Sequence, residues 1–164
     1  MTSVEAKCHL YGKLPAHGDF VSRGLGAQQD KAIDERLTMS MEVAQSEWGA
    51  DFEDTYLSAQ PWLFTSQEST AIIIPSIDKV GRKFPLYLAV LKGIVLQFLY
   101  DATISAISSG NDADSLIKAI AGAPERERAS QEEPEAQWFC IDAQAPRLPR
   151  LWDETCISLR GEVS

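Results

Sequence analysis

Residues of the types that act in hydrolytic and phosphate-binding sites cluster in two glycine-containing stretches of the sequence. The first stretch is residues 12–26, GKLPAHGDFVSRGLG, and the second is residues 75–86, PSIDKVGRKFPL. The candidate side chains are Lys13, His17, Asp19 and Arg23 in the first stretch and Ser76, Asp78, Arg82 and Lys83 in the second. Histidine and carboxylates can act as acid and base, and lysine and arginine can hold an anion. These residues could therefore form a hydrolytic site, a phosphate site or a set of charge pairs.

The spacing of these residues does not match a hydrolytic, nucleotide-binding or metal-binding motif. A nucleophilic serine would stand in G-x-S-x-G, whereas Ser76 stands in I-P-S-I-D. A P-loop would place a lysine and then Ser or Thr after its glycines, whereas Lys13 precedes the loop. The chain has two histidines, His9 and His17, and its carboxylates lack EF-hand spacing. We therefore expect no enzymatic activity, no cofactor and no metal site.

The charges of the two stretches favour a paired arrangement or a basic surface. A carboxylate such as Asp19 could accept a bidentate bond from Arg82 and so lock the two irregular segments together. The alternative is a basic patch on an otherwise acidic surface, formed by Lys13, Arg23, Arg82 and Lys83. Such a patch would dock an acidic or phosphorylated partner. The sequence leaves both arrangements open.

A long β-hairpin is predicted to carry the second stretch at its turn. Residues 71–77 and 84–91 are apolar, β-prone runs, and the polar connector 78–83 between them suits a chain reversal. Their hydrophobicity is continuous rather than alternating, so helices are expected to cover both faces of the sheet. Pro75 cannot donate to a strand ladder, and a strand end or bulge is therefore expected near Ser76.

The remaining patterns predict an α/β domain of the α+β type. Strands are predicted at residues 8–11, 61–65, 138–142 and 156–159, and helices at residues 28–48, 51–59, 94–108 and from a cap at Asp112 or Asp114 to residue 121. We expect a central, mainly antiparallel sheet of about five or six strands flanked by helices on both sides, within a single domain of residues 1–164. Five glutamates within residues 125–137 predict a flexible acidic loop at about residues 124–137.

The composition argues against some classes of partner and indicates the compartment in which the chain is expected. The 164 residues carry a net charge of −9, which argues against nucleic acid and an anionic membrane as partners. No apolar run reaches the roughly 20 residues needed to insert across a bilayer, and the N-terminus lacks a signal-peptide pattern. Cys8, Cys140 and Cys156 form no CxxC pair and are expected to be buried free thiols. A cytoplasmic location is therefore expected.

The aromatic residues are expected to lie mostly in the core. Strand-like positions hold Trp62, Phe64, Trp138 and Phe139. Trp152 lies in the arginine-containing tail RLPRLWDE, and we expect it to be the most exposed tryptophan. An exposed Trp152 could anchor an interface, although packing of the tail onto the domain is the favoured interpretation.

Four sequence pieces together resemble one known family. They are YGKLPAHGDFVSRGL at residues 11–25, PWLF at 61–64, PSIDKVGRKFPL at 75–86 and the aromatic pair Trp138 and Phe139. Their order and spacing are similar to those of the TagF (ImpM) accessory proteins of bacterial type VI secretion. The chain departs at Phe139, where the family has the second tryptophan of a tandem pair, and at His17, where it has Arg or Ala.

The resemblance implies a non-enzymatic regulator with a longin- or profilin-like fold. Family members repress type VI secretion after translation by binding a forkhead-associated scaffold protein. The resemblance thus implies that partner here, and the candidate partner-binding residues are Lys13, His17, Asp19, Arg23, Asp78, Arg82, Lys83 and Trp152. Two alternatives stay open: a small-ligand or phosphate-sensing domain that would use Lys13, Arg23 and Arg82, and a structural assembly component of the secretion apparatus.

Overall fold

A sheet of six antiparallel strands forms the centre of the part of the chain that the structure describes. The structure is a computed structural model and describes residues 7–126, 137–142 and 144–152. The strands are β1 (Cys8–Gly12), β2 (Val21–Arg23), β3 (Trp62–Thr65), β4 (Thr70–Ile74), β5 (Leu86–Val90) and β6 (Gln137–Phe139). Their order across the sheet is β2-β1-β5-β4-β3-β6. The predicted hairpin is therefore confirmed as the central pair, with β4 and β5 aligned from Thr70 opposite Val90 to Ile74 opposite Leu86.

Helices cover both faces of this sheet, as the continuous hydrophobicity of the hairpin predicts. They are α1 (Ala27–Trp48), α2 (Phe52–Ser58), α3 (Leu96–Ser109) and α4 (Ala113–Ala121), with a 3₁₀ turn at Gly49–Asp51. The face covered by α1 and α2 buries Ile33, Leu37, Met41, Tyr56, Ile73 and Tyr87. The opposite face, covered by α3 and α4, buries Leu10, Ile72, Leu88, Leu99, Leu116 and Ile120. The α+β class with an antiparallel sheet between helices is confirmed.

Local chemistry explains where the elements end. Strand β4 stops at Ile74, directly before Pro75, which cannot donate to the ladder. Asp112 caps helix α4 by accepting a hydrogen bond from the Ser115 amide at 2.8 Å. Strand β1 ends at Gly12, whose positive φ of 138° and close approach to the Pro85 carbonyl oxygen leave no room for a β-carbon.

Several predictions differ from the structure or fall outside it. Strand β2 lies inside the stretch 12–26, where only a loop was expected, and it pairs with β1. Strand β6 stops at Phe139, so the predicted strand 138–142 is shorter and begins one residue earlier. The predicted strand 156–159 and most of the predicted acidic loop 124–137 lie outside the described residues. Among the helices that the structure describes, none is both long and apolar enough to cross a membrane.

Tyr56 on α2 secures the chain where β4 ends. Its buried hydroxyl donates to the Ser76 carbonyl oxygen at 2.8 Å and accepts from the Ser76 amide at 2.9 Å. The substitution Tyr56→Phe removes both bonds and leaves the buried Ser76 amide unsatisfied, while the Ser76 carbonyl oxygen still accepts the Phe84 amide at 3.2 Å. We expect it to lower the free energy of unfolding by about 1–3 kcal/mol in urea denaturation. The matched control is Tyr100→Phe, because the Tyr100 hydroxyl has no hydrogen-bond partner among the described residues; equal losses from the two variants would contradict the assignment.

Candidate functional site

The connector between β4 and β5 folds around the carboxylate of Asp78. Oδ1 of Asp78 accepts hydrogen bonds from the backbone amides of Val80 at 3.0 Å and Arg82 at 2.9 Å. The Asp78 amide donates to the Arg82 carbonyl oxygen at 3.0 Å, and Gly81 supplies the positive φ of 93° that closes the turn. An aspartate at the start of the connector therefore fixes the shape of the whole turn.

The second oxygen of the same carboxylate holds two cations. Oδ2 of Asp78 lies 2.8 Å from Nε of Arg82 and 3.2 Å from Nζ of Lys13, and the carboxylate is fully buried. Burial alone would raise the pKa of Asp78, but the amide of Arg82, the side chains of Lys13 and Arg82 and the amide of Val80 together hold that pKa well below its ordinary range. The ammonium of Lys13 is buried as well, 4.8 Å from the centroid of the Phe20 ring. Asp78 is thus an ionised, fully paired structural carboxylate.

The lowered pKa of Asp78 predicts acid sensitivity. A carboxylate whose pKa is lower in the folded chain stabilises the fold above its ordinary pKa of 3.8, and this contribution is lost as the pH falls below that value. Urea denaturation midpoints of the wild type and Asp78→Asn, measured between about pH 6 and pH 3, should therefore converge on acidification. A difference that stays constant over this range would contradict an ionised, paired Asp78.

The stretch 12–26 and the hairpin connector are joined as the charge-pairing argument predicts, but through different atoms. Nη2 of Arg82 donates to the carbonyl oxygen of Gly18 at 2.8 Å, and the amide of Lys79 donates to the carbonyl oxygen of His17 at 2.7 Å. The suggested pair of Asp19 with Arg82 is wrong: Asp19 instead accepts the Phe20 amide at 2.8 Å. Arg82 is drawn to Asp78 because that carboxylate lies four residues away in the same closed turn.

The four cations of the predicted basic patch do not lie together as a free patch. Lys13 is buried against Asp78, and Arg23 pairs with Asp114 of α4 at 2.8 Å from Nε to Oδ1. Lys83 is largely buried and pairs with Glu53 on α2. Of the four cations, Arg82 is the most exposed. A patch made of all four is therefore replaced by three separate ion-pair sites.

The side chain of His17 is hydrogen-bonded to the first residue of helix α4. Its Nε2 accepts a hydrogen bond from the backbone amide of Ala113, the first residue of that helix, at 3.0 Å. The hydroxyl of Ser76 is buried, and its one hydrogen bond within the described residues is a long one of 3.5 Å to the Ile77 carbonyl oxygen. None of these hydrogen bonds joins His17, Asp19 and Ser76 to one another.

The cysteines and the possible metal ligands are the remaining candidates for chemistry. Cys8 is a buried thiol, and burial raises its pKa to about 11, which disfavours the nucleophilic thiolate. Cys140 is a half-buried free thiol, and Cys156 lies outside the described residues. In the described ranges, no group of three or more His, Cys, Asp and Glu side chains could hold a metal ion.

The joined segments present an exposed tip, which contains the candidate residues Asp19 and Arg82 beside residues that the sequence did not single out. We define the tip as residues 18–20 of the first stretch and residues 79–82 of the connector, all of them exposed. Phe20 is 42% exposed although its ring stacks on Tyr11 at 5.7 Å and meets Phe84 edge-on at 4.9 Å. Val80 is 70% exposed at the turn. The tip therefore combines two solvent-facing apolar side chains with two cations, Lys79 and Arg82, and one carboxylate, Asp19.

The expectation that Trp152 is exposed is wrong. Its side chain is 2% exposed and forms edge-to-face contacts with Trp62 at 6.1 Å and Trp138 at 6.0 Å between ring centroids. The preceding chain is held in place because the Trp62 indole N–H donates to the Leu148 carbonyl oxygen at 2.8 Å. Ser40 on α1 likewise donates to the Pro149 carbonyl oxygen. The tail thus packs onto the α1 face, and Trp152 is a core residue there.

Comparison with known proteins finds a matching family model and a similar solved structure. Residues 9–109 match the family model described as "TagF N-terminal domain, Type VI secretion system-associated", which covers more than half of the chain. A crystal structure of PA0076 from Pseudomonas aeruginosa PAO1 has a similar fold, with a TM-score of 0.52 and 31% sequence identity. The alignment covers 73% of this chain and 64% of that chain, so this chain spans less than two thirds of PA0076. No curated protein matches the sequence.

Proposed function

Because the chain belongs to the TagF N-terminal domain family, which is associated with type VI secretion, we propose that it is a non-enzymatic repressor of the type VI secretion apparatus. In this proposal it acts after translation by binding a forkhead-associated scaffold protein in the cytoplasm. Its ligand is a protein, rather than nucleic acid or a membrane. The family match supports the association with secretion, and the repressor role and the partner are the proposed steps.

The exposed tip is the single observation that best supports a protein-binding role. Phe20 and Val80 offer apolar anchors, and the tip also carries two cations, Lys79 and Arg82, and one anion, Asp19. Interface hot spots are commonly apolar or aromatic anchors with arginine nearby. With two cations and one anion the tip is net positive on a chain with a net charge of −9, which favours an acidic surface of the scaffold.

The network behind the tip supports the same role because it keeps the tip rigid. The buried carboxylate of Asp78 holds Arg82 and the connector, and Arg82 in turn holds Gly18 in the facing loop. A surface that is already ordered loses less conformational entropy when a partner binds. Lys13, His17 and Asp78 therefore contribute to binding by positioning the tip, and Arg82 both positions it and remains accessible.

The phosphate-sensing alternative has less support from the arrangement of the cations. It requires Lys13, Arg23 and Arg82 to converge on one anion. Lys13 is instead paired with Asp78 and Arg23 with Asp114, whose carboxylate would repel an anion.

Secretion assays in the native host test the proposal. We expect deletion of the gene to raise type VI secretion and overproduction of the wild type to lower it. Overproduced Lys79→Glu or Val80→Asp should no longer lower secretion, because each change disrupts the tip. The matched control is Arg36→Glu, a charge reversal at an exposed position of α1. Secretion that does not respond to deletion or overproduction would refute the repressor role, and equal repression by all variants would refute the role of the tip.

A further inference from the structure

A second surface feature, separate from the tip, is an open groove between α2 and α3. Its volume is about 400 Å³, and it lies where α2 ends, β3 begins and β4 ends. Its apolar lining includes Leu57, Pro61, Ile74, Tyr100, Ile104 and Ile107. None of these residues belongs to the tip or to the network of Asp78. The groove is large enough to receive a few aliphatic side chains.

Large aliphatic side chains are left in solvent around this groove. Leu57 is 66% exposed on one wall, and Ile104 is exposed on the facing wall. Ile141 is 71% exposed just after β6, and its neighbour Asp142 donates its amide to Oε1 of Gln60, another lining residue, at 2.9 Å. Single exposed aliphatic residues are ordinary, but several around one concave apolar site mark an interaction surface.

The charges near the groove indicate which partner it would accept. The last turns of α2 and α3 contain no basic residue, and both turns border the groove. The carbonyl groups at a helix C-terminus carry partial negative charge and favour a nearby cation. Asp54 and Asp101 are exposed and lie three residues before Leu57 and Ile104, so each shares a helix face with a groove residue. The groove is therefore apolar inside, and the charged side chains of α2 and α3, the two helices at its margin, are all acidic.

We propose that this groove binds an amphipathic segment of a partner protein, with aliphatic side chains inside the groove and lysine or arginine at its margin. The exposed Leu57 and Ile104 are the apolar contacts, and the helix C-termini with Asp54 and Asp101 attract the cations. A second copy of this chain fits less well, because each copy carries a net charge of −9 and two negative margins repel. The groove is thus a docking surface independent of scaffold binding at the tip.

A synthetic probe tests the proposal without knowledge of the natural partner. The probe is a fluorescent amphipathic peptide of leucine and lysine, about 14 residues or roughly four helical turns long. Its binding to the full chain is measured by fluorescence anisotropy. We expect the double variant Leu57→Ser, Ile104→Ser to weaken binding by about tenfold or more, because both apolar contacts are lost. Leu57→Ser alone, at the more exposed position, should weaken binding in the same direction.

The controls keep the net charge constant, so that general attraction to an acidic protein cannot explain the result. Met39→Ser removes an exposed aliphatic side chain from α1 and should leave binding unchanged. Equal binding by the wild type, the groove variants and Met39→Ser would overturn the proposal. A leucine–glutamate peptide that binds as tightly as the leucine–lysine peptide would overturn its charge argument. A wild-type dimer that becomes monomeric in the double variant would assign the groove to a second copy and overturn the proposal as stated.

Discussion

The substitution Asp78→Asn is expected to destabilise the chain more than any change to its surface ion pairs. It removes the charge that faces Arg82 and the buried ammonium of Lys13. A buried cation that loses its carboxylate partner is an uncompensated charge in the protein interior, which strongly destabilises the fold. We expect a loss in the free energy of unfolding that exceeds the loss from Tyr56→Phe, measured by urea denaturation near neutral pH.

The matched control for this prediction is Glu53→Gln, which also removes one carboxylate from a lysine pair. Glu53 is mostly exposed, so its pair with Lys83 is screened by water and should contribute little to stability. If Asp78→Asn lowers the free energy of unfolding by no more than Glu53→Gln does, the Asp78 carboxylate does not hold the connector as described. If only Asp78→Asn also weakens binding to the scaffold, the carboxylate positions the tip.

The substitution Trp152→Ala is expected to lower the free energy of unfolding by about 3–5 kcal/mol, as is typical for a buried aromatic residue replaced by alanine. The ring of Trp152 packs against Trp62 and Trp138, so its removal leaves a cavity on the α1 face. Urea denaturation followed by near-ultraviolet circular dichroism reports both the stability and the order of this aromatic cluster.

Trp152→Phe is the control that separates packing from hydrogen bonding. The indole N–H of Trp152 has no hydrogen-bond partner among the described residues, so phenylalanine loses volume and little else. We expect Trp152→Phe to lower the free energy of unfolding clearly less than Trp152→Ala does. A Trp152→Ala variant as stable as the wild type would show that the tail does not pack there and would restore the exposed position expected from sequence.

The elements that the sequence predicts well are those with a strong local pattern. The apolar runs on either side of the connector 78–83 form the central hairpin, and Pro75 marks the end of β4. The three-to-four-residue spacing of Ile33, Leu37 and Met41 places one buried face on α1. In each case the residues that determine the element lie within one short segment, so no distant contact is needed to identify it.

The features that the sequence does not predict depend on distant contacts. Asp19 and Asp78 are equivalent as carboxylates, and only the closed turn brings Asp78 next to Arg82 while Lys13 approaches from another segment. Trp152 stands among prolines and arginines, and its burial requires Trp62 and Trp138 from two strands. The exposed tip likewise exists only because two segments meet.

In the two stretches that carry the family motifs, residues 12–26 and 75–86, buried and exposed residues have different roles. The buried members, Lys13 and Asp78, hold the connector and the loop together, and the members at the tip are exposed, as the proposed binding role requires. Changes to the first group should therefore alter stability and binding together. Changes at Lys79 or Val80 should alter binding alone.

Direct titration of the purified chain with the forkhead-associated scaffold protein of the same host, by calorimetry, is the most direct test of the central proposal. We expect the wild type and Arg36→Glu to bind equally well. Val80→Asp and Lys79→Glu should weaken binding by about tenfold or more, as loss of a hot-spot contact does, while their unfolding midpoints stay unchanged. Failure of the folded wild type to bind the scaffold, or binding of both tip variants with wild-type affinity, would contradict the account.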